Sequence, residues 1–156
     1  MTRLYARAVG GRRIAEATPG GHWKILTPIG AMRLTGMFAP MTVEAATDAD
    51  IFFAYVDQML CPQLRAGDVV VMDNLSSHKV QDVRERIQAA GAELLYLPPY
   101  SPDLNPIEKA WAKLKQFLRA AKARTAEQLQ QAIAEALETI SSNDTKAWFR
   151  TPSSAL

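Results

Sequence analysis

The sequence predicts a layered α/β domain, and three observations lead there. Two short apolar runs, Asp68 to Met72 and Glu93 to Leu97, each follow a glycine, Gly67 and Gly91. Between and after them stand stretches whose apolar residues recur at helical spacing. Upstream, Trp23 to Ile29 and Met32 to Phe38 read as two extended segments around Gly30-Ala31, the pattern of a β-hairpin. The order that results is β-β-α-β-α-β-α-α.

A chain of 156 residues is long enough for one domain with a real core. Its 48% hydrophobic and 22% charged content is that of a globular protein and excludes a disordered one. One cysteine, Cys61, excludes an internal disulfide framework and a cysteine-built zinc site. The net charge of +2 names no partner, so the placement of charge carries more weight. Residues Met1 to Arg33 hold Arg3, Arg7, Arg12, Arg13, Lys24 and Arg33 against Glu16 alone, a solvated loop or one that lies along phosphates. No stretch has the length of a signal core or a membrane span, so the expectation is a soluble cytoplasmic protein.

Along the chain, Met41 to Val43 continues the second hairpin strand, with Pro28 and Pro40 near strand ends or edges. Thr47-Asp48-Ala49-Asp50 has the form of a capping box before a helix carrying Ile51, Phe52, Tyr55, Met59 and Leu60, which ends near Cys61-Pro62. The almost continuously apolar run to Met72 predicts a strand buried on both faces, and Glu93 to Leu97 a second buried one. Between them a helix carries Val80, Val83 and Ile87, with Asp82 and Arg86 spaced to pair, until Gly91 stops it. Four prolines stiffen the loop from Pro98 to Pro106. Asn105 as N-cap and Pro106 at the first helical position then open a helix with Ile107, Ala110, Trp111, Leu114, Phe117 and Leu118 inward. Thr125 to Gln128 caps a last amphipathic helix, and Trp148 and Phe149 are expected to anchor the C-terminal segment.

Two acids stand out. Asp73 ends the first buried strand, and Glu108 sits in the first turn of the helix after the proline loop. In open α/β sheets functional sites gather at the carboxyl ends of strands. A close pair of carboxylates is costly without a cation or a proton between them. Magnesium suits such a pair, because it takes a few carboxylates and keeps water and phosphate oxygens as its other ligands. Two bland readings compete: Asp73-Asn74 as a strand end and turn, and Glu108 as a capping acid. Spacing alone favours those. Lys115 and Arg119 fall within roughly 40° of Glu108 around the helix, with Lys122 continuing near that side, so the face suits a phosphodiester strand or is simply a solvated basic surface.

The motifs themselves go further. DNLSSHK followed by LPPYSPDLNPIEKAWAKLKQFLR resembles the catalytic domain of DDE transposases, in the bacterial insertion-sequence branch of the mariner-like superfamily. Thirty-four residues separate Asp73 from Glu108, the spacing of the second and third catalytic acids in that group. MTRLYARAVGGRR and GHWKILTPIGAMRLTGM resemble the segments that follow the first acid, so the likeness runs to about Phe149. It implies a ribonuclease-H-like mixed sheet flanked by helices, over residues 1–150, with 151–156 as a tail. Asp73 and Glu108 become catalytic acids and ligands of Mg2+, with Mn2+ as a substitute. Asn74 and His78 match motif positions near the metals, and Tyr100, Ser101, Pro102 and Asn105 match the loop that positions the last acid. Arg12, Arg13, Lys115 and Arg119 become candidate DNA contacts. The implied reaction is nicking at element ends followed by strand transfer. Terminal inverted repeats and target DNA are the partners, and the expected assembly is a homodimer.

The chain departs from this pattern at its start. The family's first acid and its N-terminal DNA reader have no match, and Glu16, Glu44, Asp48 and Asp50 are not convincing replacements. The strand that carries the first acid belongs between the hairpin and the strand of Asp73. The expectation is therefore a downstream product completed by frameshift fusion, or a truncated copy that binds DNA or a full-length transposase without catalysis.

Overall fold

The computed structural model describes residues 25–74, 81–99, 101 and 104–150. Strand β1 (Thr27–Arg33) and strand β2 (Gly36–Val43) form an antiparallel hairpin. Its turn lies at Leu34-Thr35, not at the expected Gly30-Ala31. Gly36 takes φ +134°, which side-chain-bearing residues rarely adopt, and so closes the turn. Gly30 sits in mid-strand for a different reason: a Cβ there would stand 3.3 Å from Met37 Cε and 3.6 Å from the Trp111 ring. Opposite Gly30 the register shifts, and β2 bulges through Ala39 and Pro40, with Ala39 at φ +49°. The bulge is what admits Pro40 into a strand.

Helix α1 (Ala49–Tyr55) follows, continued by a π-helical turn (Val56–Leu60) and a 3-10 turn (Cys61–Gln63). Its cap is Asp48, whose carboxylate accepts from the Ile51 N–H at 2.9 Å, rather than the expected Thr47. Thr47-Asp48 offers two capping side chains, and the residue that turns extended directly before the helix takes the role.

Strand β3 (Val69–Met72) pairs in parallel with β4 (Glu93–Tyr96), and helix α2 (Gln81–Ala89) crosses between them. Val83 and Ile87 of α2 are fully buried among Phe52, Val56, Leu60, Met72 and Leu94. Arg86 forms its ion pair with Asp57 of the π-helical turn and not with Asp82, because packing of α2 on that turn supplies a partner from outside the helix. The expectation that both strands are buried on both faces fails on one side. Val69, Val71 and Leu95 are 50%, 52% and 54% exposed, because α2 covers only the face of Val70, Met72 and Leu94.

Helices α3 (Ile107–Ala121) and α4 (Ala126–Glu138) close a second core of Leu114, Leu118, Ala132, Ile133 and Ala136. The Thr125 cap holds as expected, with its hydroxyl accepting from Gln128 N–H at 3.1 Å. Helix α5 (Ser142–Arg150) is tied to the hairpin by Thr145, whose hydroxyl donates to Leu34 O at 2.9 Å. Phe149 is 45% exposed, so the buried Thr145, and not the expected aromatic pair, is the anchor.

The four strands found among the described residues form two two-stranded sheets, β1-β2 and β3-β4, not one continuous sheet. Among the described residues nothing pairs with β1 opposite β2, or with β3 opposite β4. The expected place of the first strand lies between those two edges.

Candidate active site

Asp73 leaves β3 at its carboxyl end. The preceding residue is fixed on three sides. Met72 is buried, registers with Tyr96, and its carbonyl accepts from the Leu97 N–H at 2.8 Å. Asp73 itself is half-buried and interacts with the surrounding protein.

Glu108 is the second residue of α3. Pro106 is the N-cap and no side-chain cap bond is made among the described residues, so Asn105 does not play its expected part. Its carbonyl does instead, accepting from the Glu108 N–H at 3.1 Å, while Pro106 O takes the Lys109 N–H at 3.2 Å. One turn on, Trp111 lies against Gly30 of β1 and sets how close α3 comes to the hairpin. No hydrogen bond or ion pair is made by the exposed Glu108 carboxylate among the described residues, so a capping bond is not what holds it.

Both acids line one cavity of about 1160 Å³. It is lined by β1 and β3, by Phe52, Tyr55 and Leu60, and by Asn105 to Lys109, Trp111, Trp148 and Phe149. At the end away from Asp73, Arg33 of β1 bonds Asp68 Oδ2 at 2.8 Å and Gln63 O at 2.7 Å, and stacks 4.1 Å over Phe38. Tyr55 is 2% exposed, and burial raises its phenol well above the usual range. Among the described residues, neither its hydroxyl nor that of Thr47, which also lines the cavity, has a hydrogen-bond partner.

Of the residues read from sequence, the fold brings Asp73, Glu108 and Asn105 to this cavity. Asn74 follows Asp73, half-buried, and Lys115 and Arg119 are exposed along α3. The placements expected for His78, Arg12, Arg13, Tyr100 and Pro102 fall outside the described residues. Sequence reading missed Gly30, Tyr55 and the Arg33–Asp68 tie. Only Gly30 carried a signal, since an isolated glycine in an apolar extended run also marks close approach.

Magnesium is commonly held by one or two carboxylates together with water and substrate phosphate. Asp73 and Glu108 meet that requirement in kind. No cluster of three or more His, Cys, Asp or Glu able to hold a metal occurs among the described residues.

Residues 1–130 match the family described as DDE superfamily endonuclease. Among curated proteins, the Transposable element Tcb2 transposase of Caenorhabditis briggsae is 26% identical over 98 residues, 60% of this chain and 36% of that protein. The chain thus spans about a third of the length of this relative. Among solved structures, the Mos1 strand transfer complex matches with a TM-score of 0.72 at 17% identity, over 96% of this chain and 46% of that one. The catalytic domain of Mos1 mariner transposase matches at 0.63 and 15% identity, over 81% and 76%. The Mos1 mariner paired end complex with Mn matches at 0.71 and 16% identity, over 93% and 46%. The fold is therefore the ribonuclease-H-like one of these catalytic domains.

Proposed function

Because the chain belongs to the DDE superfamily endonuclease family, we propose that it supplies two of the acids of a transposase active site that cuts and joins DNA at the ends of an insertion element. One observation carries this reading: a strand end and a helix start, far apart in sequence, deliver Asp73 and Glu108 to one cavity. A divalent ion bound there, Mg2+ by preference, supplies activation of the attacking oxygen and stabilisation of the leaving one. The chain's own residues place and orient. Asp73 and Glu108 hold the ion, each on a segment fixed by backbone bonds. Asn74 and Asn105 sit beside them with amide groups for the scissile region. Lys115 and Arg119 give the departing strand a row of cations. Terminal inverted repeats and target DNA are the substrates in this reading, handled by a homodimer, with His78, Arg12 and Arg13 as further contacts. Residues 1–150 act as one catalytic unit with 151–156 as a tail, in a cytoplasmic bacterial protein. Among the described residues no helix is long and apolar enough to cross a membrane.

Two carboxylates do not complete such a site. We therefore propose that activity needs a third acid, on a strand between β1 and β3 supplied by an upstream, frameshift-fused segment. The test compares the chain alone with the fused product on labelled element-end DNA with magnesium. Nicked and joined products should appear with the fusion only and vanish with Asp73→Asn or Glu108→Gln. Cleavage by the chain alone, lost in Asp73→Asn, would overturn the need for completion. A second reading is a non-catalytic copy that binds DNA or a full-length transposase, favoured by the finding that no cluster of three or more metal-ligating side chains occurs among the described residues. In that case DNA binding persists in Asp73→Asn, falls steeply with salt, and no fusion cuts.

A further inference from the structure

We infer that Arg33 is a positioning residue for the acid pair: through Asp68 it sets where the strand of Asp73 stands relative to the helix of Glu108. The inference rests on the reading above of the two acids as one metal site, and adds what fixes the separation between them.

Strand β1 makes a contact with the support of each acid. Near its middle, Gly30 faces the ring of Trp111, which lies one turn past Glu108 on α3. At its end, Arg33 Nη2 donates to Asp68 Oδ2 at 2.8 Å and to Gln63 O at 2.7 Å. Asp68 directly precedes β3, whose far end delivers Asp73. One strand therefore touches the helix of one acid and the strand of the other. A shift at either contact changes the distance between the carboxylates.

The tie at Arg33 holds an angle as well as a distance. The guanidinium stacks 4.1 Å over the Phe38 ring of β2 while its Nη2 makes both bonds. Asp68 is gripped in turn. Its Oδ2 also accepts from Arg65 N–H at 2.9 Å, its N–H donates to Arg65 O at 3.0 Å, and its carbonyl accepts from Glu93 N–H at 2.8 Å. A lysine in place of Arg33 keeps the charge but has no plane to stack.

The strand works as a lever. At a rise of ~3.3 Å per residue, Asp73 stands ~16 Å beyond Asp68. Over that arm a tilt of about 4° moves the carboxylate by ~1 Å, a misplacement that costs roughly 10²-fold in a reaction that depends on position. Stability responds differently. The Arg33 and Asp68 side chains are 31% and 33% exposed, and ion pairs open to water to that degree contribute little to folding. Geometry and stability can therefore be separated in one variant.

The experiment uses the full chain with Cys61→Ala and spin labels on Leu95→Cys and Ala112→Cys. Both positions are exposed, one on the strand paired with β3 and one on α3, and both acids stay in place. Pulsed dipolar spectroscopy should show a wider distance distribution in Arg33→Ala than in the parent, with the urea midpoint close to the parent's. In the unlabelled chain, Mn2+ binding followed by the free-ion spin resonance signal should weaken about tenfold in Arg33→Ala. Arg33→Lys should fall between the two. Should Arg33→Ala fail to fold, as judged by circular dichroism, Arg33→Lys makes the same comparison. An unchanged distribution, or a wider one with unchanged Mn2+ affinity, overturns the role of Arg33. A wider distribution where neither protein binds Mn2+ supports that role and overturns the metal site proposed above.

Discussion

Asp73 and Glu108 reach the same cavity on supports of very different depth. Among the described residues, Asp73 ends a four-residue strand with one pairing partner, one covering helix and one half-exposed apolar face. Glu108 starts a fifteen-residue helix that packs along α4 and braces Trp111 against β1. The hairpin beneath Trp111 pairs over most of two longer strands, and α5 is bonded to its turn. The acid pair therefore spans two units joined by side chains and by the Arg33–Asp68 tie, not by a shared sheet. The shallower support governs how well the two carboxylates can be held in one geometry.

The largest expected effect breaks that weaker support. Ile87→Ala empties a fully buried contact of α2 beneath β3 and β4 and should cost about 2–5 kcal/mol in urea unfolding. A loss much below that range would mean that β3 and β4 are held from elsewhere. Gly30→Val acts on the other side by pressing on Met37 and Trp111, at an expected cost of about 1–3 kcal/mol. Its Trp111 emission should shift even where the unfolding midpoint moves little. Asp48→Ala removes the cap of a helix that lines the cavity, and should cost about 1 kcal/mol.

The smallest effect is one of pH. The Lys113 ammonium beside Asp144, with the Ser141 N–H and hydroxyl, lowers that carboxyl from 3.8 to about 2. A lowered folded-state pKa contributes stability above about pH 4 that is lost as pH falls toward 2. Acid titration followed through Trp148 on the same helix should show a transition in that window, and Asp144→Asn should flatten it. An unchanged profile in the variant would place the acid sensitivity elsewhere.

Local chemistry made the helices legible: Thr125 caps where its box predicts, and Leu114, Leu118 and Ile133 point inward at their expected spacing. The family motif likewise placed Asp73 and Glu108, since a strand end and a helix start are features of short segments. The errors fall where distant parts meet. Gly30 reads as a turn until Met37 and Trp111 are seen to stand 3.3 and 3.6 Å from where its Cβ would be. Arg86 has an adequate partner on its own helix and takes Asp57 instead, because packing brings that carboxylate within reach. Val69 and Val71 read as buried because apolar content reports what a strand is suited to, not what the described chain places on it. The expected gap between the two sheets came from the family resemblance; no local pattern in the sequence marks it.

Of the three tryptophans, Trp111 and Trp148 both border the cavity. Indole emission is quenched or shifted when the polarity around the ring changes, so the protein carries its own optical gauge of that space. Any change that leaves the rings less wetted should move the emission to shorter wavelength with no added label. A variant with both Trp23→Phe and Trp148→Phe would leave Trp111 alone as the gauge, beside β1 and on the helix of Glu108. Titrations of metal and DNA can then be read on one signal, from one position, in the same sample.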